Sequence, residues 1–219
     1  MGKAKPIPFS TPMVRAVLRE KNPKTMTRRV INGYAAEHIE VDVDGSVIGI
    51  YDQEEGHVRP AVEYAKYRVG DILWVREEHY AYGIWMQNGK TKTGRQKYRF
   101  IGDYKRPVYY CDTLPAHVRL CRSRDEIGYF KRLGRFMPRV LARTYLKVTA
   151  VRVERLCEIT EEDARKEGIS VTILNMWRTA REWFEKLWEA INTDRGFGWD
   201  TNPWVWVYSF ERCEKPEGL

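Results

Sequence analysis

Apolar and polar residues alternate along Tyr145–Leu156, where Leu146, Val148, Val151 and Val153 are separated by Lys147, Thr149, Arg152 and Glu154. A period of two predicts a strand, the clearest long one in the chain. Trp204–Arg212, with Pro203 at its start, reads as another strand. Ile72–Arg76 follows the turn residues Gly70 and Asp71 as a third, and Ile7-Pro8-Phe9 is a short edge strand. Ile39–Val43 and Val47–Tyr51 flank Asp44-Gly45, the pattern of a β-hairpin. The period then changes. Met13, Val14, Val17 and Leu18 have helical spacing after a Ser10/Thr11 cap and Pro12. Thr160 opens a second helix that Gly168 ends. Trp177, Trp183, Phe184, Leu187, Trp188 and Ile191 form the core-facing stripe of a third, over about residues 175–192. The expected architecture is α+β, with strands near 7–9, 72–77, 145–156 and 204–212 and helices near 12–21, 161–167 and 176–191. No repeat or low-complexity linker divides the chain, which points to one domain over 1–219 with insertions near 34–65 and 80–135.

Charge changes this picture in one place. The chain carries 38 Lys and Arg against 30 Asp and Glu, but residues 90–143 alone carry 15 against 4. Tyr and Phe residues are interleaved with those cations. Such a segment suits a polyanion, RNA or DNA, through stacking and phosphate contacts. It suits equally a solvated face whose cationic stems lie over aromatic rings. Composition excludes other classes. No apolar run is long enough to span a membrane, and the first residues lack the apolar core of a signal peptide. Cys111, Cys121, Cys157 and Cys213 form no Cys-x-x-Cys pair and have no histidine at zinc-ligand spacing. A cytoplasmic protein with reduced thiols and neither metal nor other cofactor is expected.

The densest chemistry is Lys24-Thr25-Met26-Thr27-Arg28-Arg29. On a helical or tight-turn backbone, Lys24 and Thr27 would share a face. A buried lysine with a lowered pKa can activate a threonine hydroxyl or a water. Arg29 offers a fork of donors for a carbonyl, phosphate or carboxylate. A basic helix terminus is the alternative reading. Glu77 and Glu78 place a carboxylate pair at a strand end beside Arg76.

The pattern Lys-x-x-Thr-x-Arg over Lys24, Thr27 and Arg29 resembles the signature of ASCH domains, a branch of the PUA-like β-barrels. Asn22 stands where that family usually has glycine. Pro8–Val14, Gly70–Glu77, Met137-Pro138-Arg139 and Asn202–Val207 resemble a subgroup common in phage genomes. The resemblance implies a small β-barrel with flanking helices. It also implies an amidohydrolase that removes an acyl group from the exocyclic amine of cytidine or a related modified nucleoside. In the small enzymes of the family, a Lys and a Thr of the motif act with a Glu seven residues after the Thr of a later Thr-Glu helix start. Here that position is Glu167. The catalytic set implied is Lys24, Thr27 and Glu167, with Arg29, Arg76, Glu77 and Arg139 as substrate-binding residues. ASCH domains are also described as non-catalytic RNA- or DNA-binding modules, which is the competing expectation.

Overall fold

The computed structural model describes residues 4–111, 113–170 and 178–217. The chain divides into two compact units. The first takes its residues from Met1–Lys5, Arg15–Leu73 and Thr144–Leu219, the second from Pro6–Val14 and Trp74–Arg143. The expected insertion at 80–135 lies wholly within the second unit.

The fold is mixed α+β and consists mostly of sheet. Strands β1 (Lys5–Pro8), β2 (Met26–Val30), β3 (Ile39–Val41), β4 (Val47–Asp52), β5 (His57–Arg59) and β6 (Ile72–Arg76) precede β7 (His79–Lys90), β8 (Gln96–Gly102), β9 (Tyr109–Tyr110), β10 (Gly128–Arg132), β11 (Tyr145–Arg155) and β12 (Trp204–Cys213). The helices are α1 (Thr11–Val17), α2 (Tyr34–Glu37), α3 (Glu161–Lys166) and α4 (Ala180–Asn192). The largest sheet runs β1-β6-β11-β12-β2. Its ladder ends at β1 and β2, so the expected barrel is not closed among the described residues.

In the first unit, the period-two segment is β11, paired antiparallel with β12 from Tyr145↔Cys213 to Arg155↔Trp204, with a bulge between Val148 and Ala150. On its other edge β12 pairs with β2, from Val205↔Val30 to Ser209↔Met26. This corrects the helical or tight-turn reading of the Lys24–Arg29 stretch. Its second half is a buried strand, because pairing with β12 outweighs local propensity. Helix α1 stops at Val17, short of the expected residue 21. Asn22 then takes a left-handed conformation (φ 49°), which asparagine tolerates in place of glycine. The expected hairpin is β3–β4, with Gly45 at φ 82° in its turn, and β5 extends it to three strands.

The core of the first unit lies where β2 and β12 face α3 and α4. Met26, Leu156, Ile159, Ala164, Phe184, Trp188, Val205 and Val207 pack there. Thr179 caps α4 by accepting from the Glu182 N–H at 3.1 Å. The start expected for this helix, near 175–177, lies outside the described residues.

In the second unit, β7 is the centre of the order β10-β7-β8, and β9 also pairs with β7. Trp85, Phe100 and Phe130 meet edge to face at centroid distances of 5.4–6.4 Å. The Arg132 guanidinium lies 4.5 Å from the Trp85 centroid and 4.3 Å from that of Phe100. Arg124 covers Tyr98 at 4.8 Å, and Arg106 covers Tyr82 at 4.0 Å. These interleaved cations and aromatics therefore contact one another. No helix among the described residues is long and apolar enough to cross a membrane.

Phe184 is 3% exposed, 6.0 Å from the Trp188 ring, and faces the Arg28 guanidinium at 5.7 Å. Phe184→Ala should cost about 3–5 kcal/mol through lost burial and a residual cavity. The urea midpoint measures it, with Lys186→Ala on the exposed side of α4 as the near-neutral comparison.

Candidate functional site

The site is built where the ends of two segments meet. The Lys24 N–H donates to the Ala16 carbonyl at 2.9 Å, and the Thr25 N–H donates to the Lys166 carbonyl at 3.0 Å. The Thr25 carbonyl accepts from the Phe210 N–H at 2.8 Å. This stretch is thereby fixed to the end of α1, the end of α3 and strand β12. Thr160 caps α3, accepting from the Asp163 N–H at 3.1 Å. Glu167 terminates α3, and Gly168 turns the chain at φ 101°. A Cβ on Gly168 would lie 2.9 Å from the Cβ atoms of both Ala16 and Lys24. Glycine is required there for its backbone angle and for the close approach of Lys24.

Lys24 and Glu167 meet across 143 residues of sequence. The Lys24 ammonium nitrogen lies 2.5 Å from Glu167 Oε2 and donates to the Glu167 backbone carbonyl at 2.7 Å. Both residues are buried, at 2% and 4% exposure. Desolvation pushes the Lys24 pKa below its ordinary value; the Glu167 carboxylate opposes that shift, and Arg29 and Arg28 reinforce it.

The other Glu167 oxygen is held by Arg28, a residue that sequence reasoning missed. Arg28 Nη1 donates to Glu167 Oε1 at 3.2 Å. The Arg28 Nε and Nη2 atoms bind Glu154 Oε1 at 3.0 and 2.5 Å, and Nη2 reaches Asp163 Oδ2 at 3.1 Å. Arg152 closes the cluster on Glu154 and Asp163. Three cations (Lys24, Arg28 and Arg152) thus face three carboxylates. Strand alternation was the available signal: Arg28 shares a face of β2 with the core residue Met26, and a charge on a buried face must be paired.

Thr27 and Arg29 project from the opposite face of β2. The Thr27 hydroxyl is buried and has no hydrogen-bond partner among the described residues. An unsatisfied buried hydroxyl costs about 1–3 kcal/mol. Thr27 is the register partner of Tyr208 on β12. Burial pushes the Tyr208 phenol up to about 12, which keeps it protonated at neutral pH. The Tyr67 ring lies edge-on to Tyr208 at 5.1 Å. Burial lowers the Arg29 pKa, against the opposing fields of Glu167, Tyr67 and Tyr208. Tyr67 and Tyr208 were likewise absent from the expected site. Their signal was the cross-strand register, which a single sequence does not display.

The structure thus brings Lys24 and Glu167 into contact and places Thr27 three residues beyond Lys24 on β2. All three are enclosed, where an open cleft was expected. A cleft of about 330 Å³ beside them is lined by Asn22, Pro23, Thr25, Glu162, Lys166 and Ile169, and not by the three themselves. Because Lys24 is buried against Glu167, removing it affects the fold as well as the site.

The remaining expected residues belong to the second unit. Glu77 is 3% exposed and is held bidentate by Arg143 at 2.9 and 2.8 Å. Arg76 packs over the Trp74 ring at 4.9 Å, and its buried Nε has no partner among the described residues. Arg139 is exposed. Glu78 pairs with Lys131 at 2.9 Å.

No protein-family model, curated protein or solved structure matches the chain.

The lowered Lys24 pKa has a measurable consequence. Between that folded-state pKa and the ordinary 10.5, the unfolded chain holds a proton that the folded one has released. Stability contributed by this group therefore rises with pH across that window. Urea midpoints of wild type and Lys24→Met from pH 7 to 10 test it. The wild type should gain stability relative to the variant as pH rises, and a constant difference would contradict the shift.

Proposed function

We propose that the Lys24–Thr27–Glu167 centre is an amidohydrolase site that removes an acyl group from the exocyclic amine of cytidine or a related modified nucleoside. The chain, on this reading, is an ASCH domain of PUA-like fold, as its motif resemblance implies. The observation that carries the proposal is the 2.5 Å contact between Lys24 and Glu167, two residues singled out from separated motifs. Thr27, three residues after Lys24, supports it with a buried hydroxyl that has no hydrogen-bond partner among the described residues.

The chemistry follows from the proton positions. Because burial lowers its pKa, Lys24 can lose its proton to solvent, which leaves a free amine against the Glu167 side chain. The amine accepts the proton of the Thr27 hydroxyl, or of a water that Thr27 orients, as oxygen attacks the acyl carbon. That proton passes from Lys24 across the 2.5 Å contact to Glu167 and on to the departing cytosine amine. The C–N bond breaks, and the acyl group leaves as a carboxylic acid once water has been consumed. The Arg29 guanidinium is available to the oxyanion. Arg28 holds Glu167 in position throughout and does not touch the substrate.

Hydrolysis of N-acylated cytidines by the purified protein is the test. Lys24→Ala and Thr27→Ala should each lower kcat by at least about 100-fold, the usual size of a general-base or nucleophile contribution. Glu167→Gln should lower kcat with KM nearly unchanged. Thr27→Ser, which keeps the hydroxyl, should retain most of the activity. An active Thr27→Ala protein, or no hydrolysis by a folded wild type, would remove the enzyme reading and leave the non-catalytic nucleic-acid-binding module.

A further inference from the structure

The ribbon of β7 and β8 carries an uninterrupted run of basic charge in the second unit. Residues 86–99 contain Lys90, Lys92, Arg95, Lys97 and Arg99 and no acidic residue, and all five cations are exposed. Beyond the Met86↔Arg99 pair, the two strands extend about 10–13 Å at ordinary strand rise. The tip is rigidly built. The Thr91 N–H donates to the Arg95 carbonyl at 2.8 Å, the Gly94 N–H to the Thr91 carbonyl at 2.9 Å, and the Gln96 amide to the Gly89 carbonyl at 2.8 Å.

Solubility alone does not demand this charge. The other exposed hairpin of the chain, β3–β4–β5, has the opposite sign, with six acidic residues and one arginine over residues 39–59. Its Asp42 and Asp52 carboxylates are engaged by turn N–H groups at 2.8–3.2 Å. By register, Lys97 and Arg99 share a face with Met86 and Ile101, which are 55% and 42% exposed. The opposite face is already covered, because Arg124 and Arg132 lie over the Tyr98, Trp85 and Phe100 rings.

We propose that the β7–β8 ribbon is a duplex-DNA docking element that enters the major groove with its tip cations on the flanking phosphates. A B-form major groove is about 12 Å wide and admits a two-stranded ribbon. The major groove of duplex RNA is too narrow for one. Single-strand binding relies on free aromatic faces for base stacking, and the ribbon's rings are stacked internally. Lys90, Lys92 and Lys97 take phosphates as point charges. Arg95 and Arg99 take phosphates through their forked donors, and exposed Asn88 carries the paired donor and acceptor that meet a base edge. The inference stands on the second unit alone and does not depend on the chemistry assigned to Lys24 and Glu167.

The test is fluorescence anisotropy of a labelled 20-base-pair DNA duplex with the full chain between 50 and 200 mM salt. Release of counterions by five cations predicts an affinity loss of about 500-fold over that range. For Lys92→Gln/Arg95→Gln, the predicted loss is about 40-fold, with weaker binding at 50 mM. Both positions are exposed and outside any core, and circular dichroism checks that the variant stays folded. Lys186→Gln, on the exposed face of α4, should leave the slope unchanged. The proposal is overturned by an unaltered slope in the double variant or by no DNA binding at 50 mM. It is equally overturned if duplex RNA, single-stranded DNA or anionic vesicles bind as tightly as duplex DNA.

Discussion

Burying Lys24 against Glu167 constrains the first unit more than any other contact. Two charges removed from water must satisfy each other and every remaining donor and acceptor, or the fold loses several kcal/mol. Each local oddity around them answers that requirement. Gly168 lets the backbone pass against Lys24, and Asn22 takes the left-handed turn that brings the chain in from α1. The Lys24 ammonium also binds the Glu167 carbonyl, which occupies one of the free acceptors at the end of α3. Arg28 occupies the second carboxylate oxygen and is itself neutralised by Glu154 and Asp163.

Strand β2 separates two kinds of chemistry by its pleat. Arg28 points with Met26 into the helix-covered face, where every charge is paired. Thr27 and Arg29 point the other way, beside Tyr208 and Tyr67, where a hydroxyl is left unsatisfied. On the amidohydrolase reading proposed above, that hydroxyl is the group that attacks the acyl carbon or orients the water.

Much of this was readable from residue types and spacing. Long alternation revealed β11, terminal composition revealed β12, and Thr160 with Gly168 bracketed α3. Lys24, Thr27 and Glu167 were singled out by motif resemblance. What stayed hidden depends on pairing between distant segments. Lys24–Arg29 is locally compatible with a turn, and only the β12 register makes its second half a strand. That error concealed Arg28, since a helical reading puts no two of its neighbours on the right face. Glu77 resembled a pocket residue until Arg143, 66 positions away, proved to hold both of its oxygens. The division into two units was invisible because no linker marks it. The second unit is assembled from residues 6–14 and 74–143, so three of its four boundaries fall within β1, α1 and β6.

The claim that Lys24 acts as a base in a desolvated pair meets its most direct test in the pH dependence of kcat/KM for N-acylcytidine hydrolysis by the intact protein. The account predicts a rate that climbs with pH through a single ionisation below the ordinary lysine range, in keeping with the direction of the Lys24 shift. Once that group has lost its proton, the rate should reach a plateau. A rate that is flat across neutral and alkaline pH, or that begins to rise only at or above the ordinary value of 10.5, would contradict it.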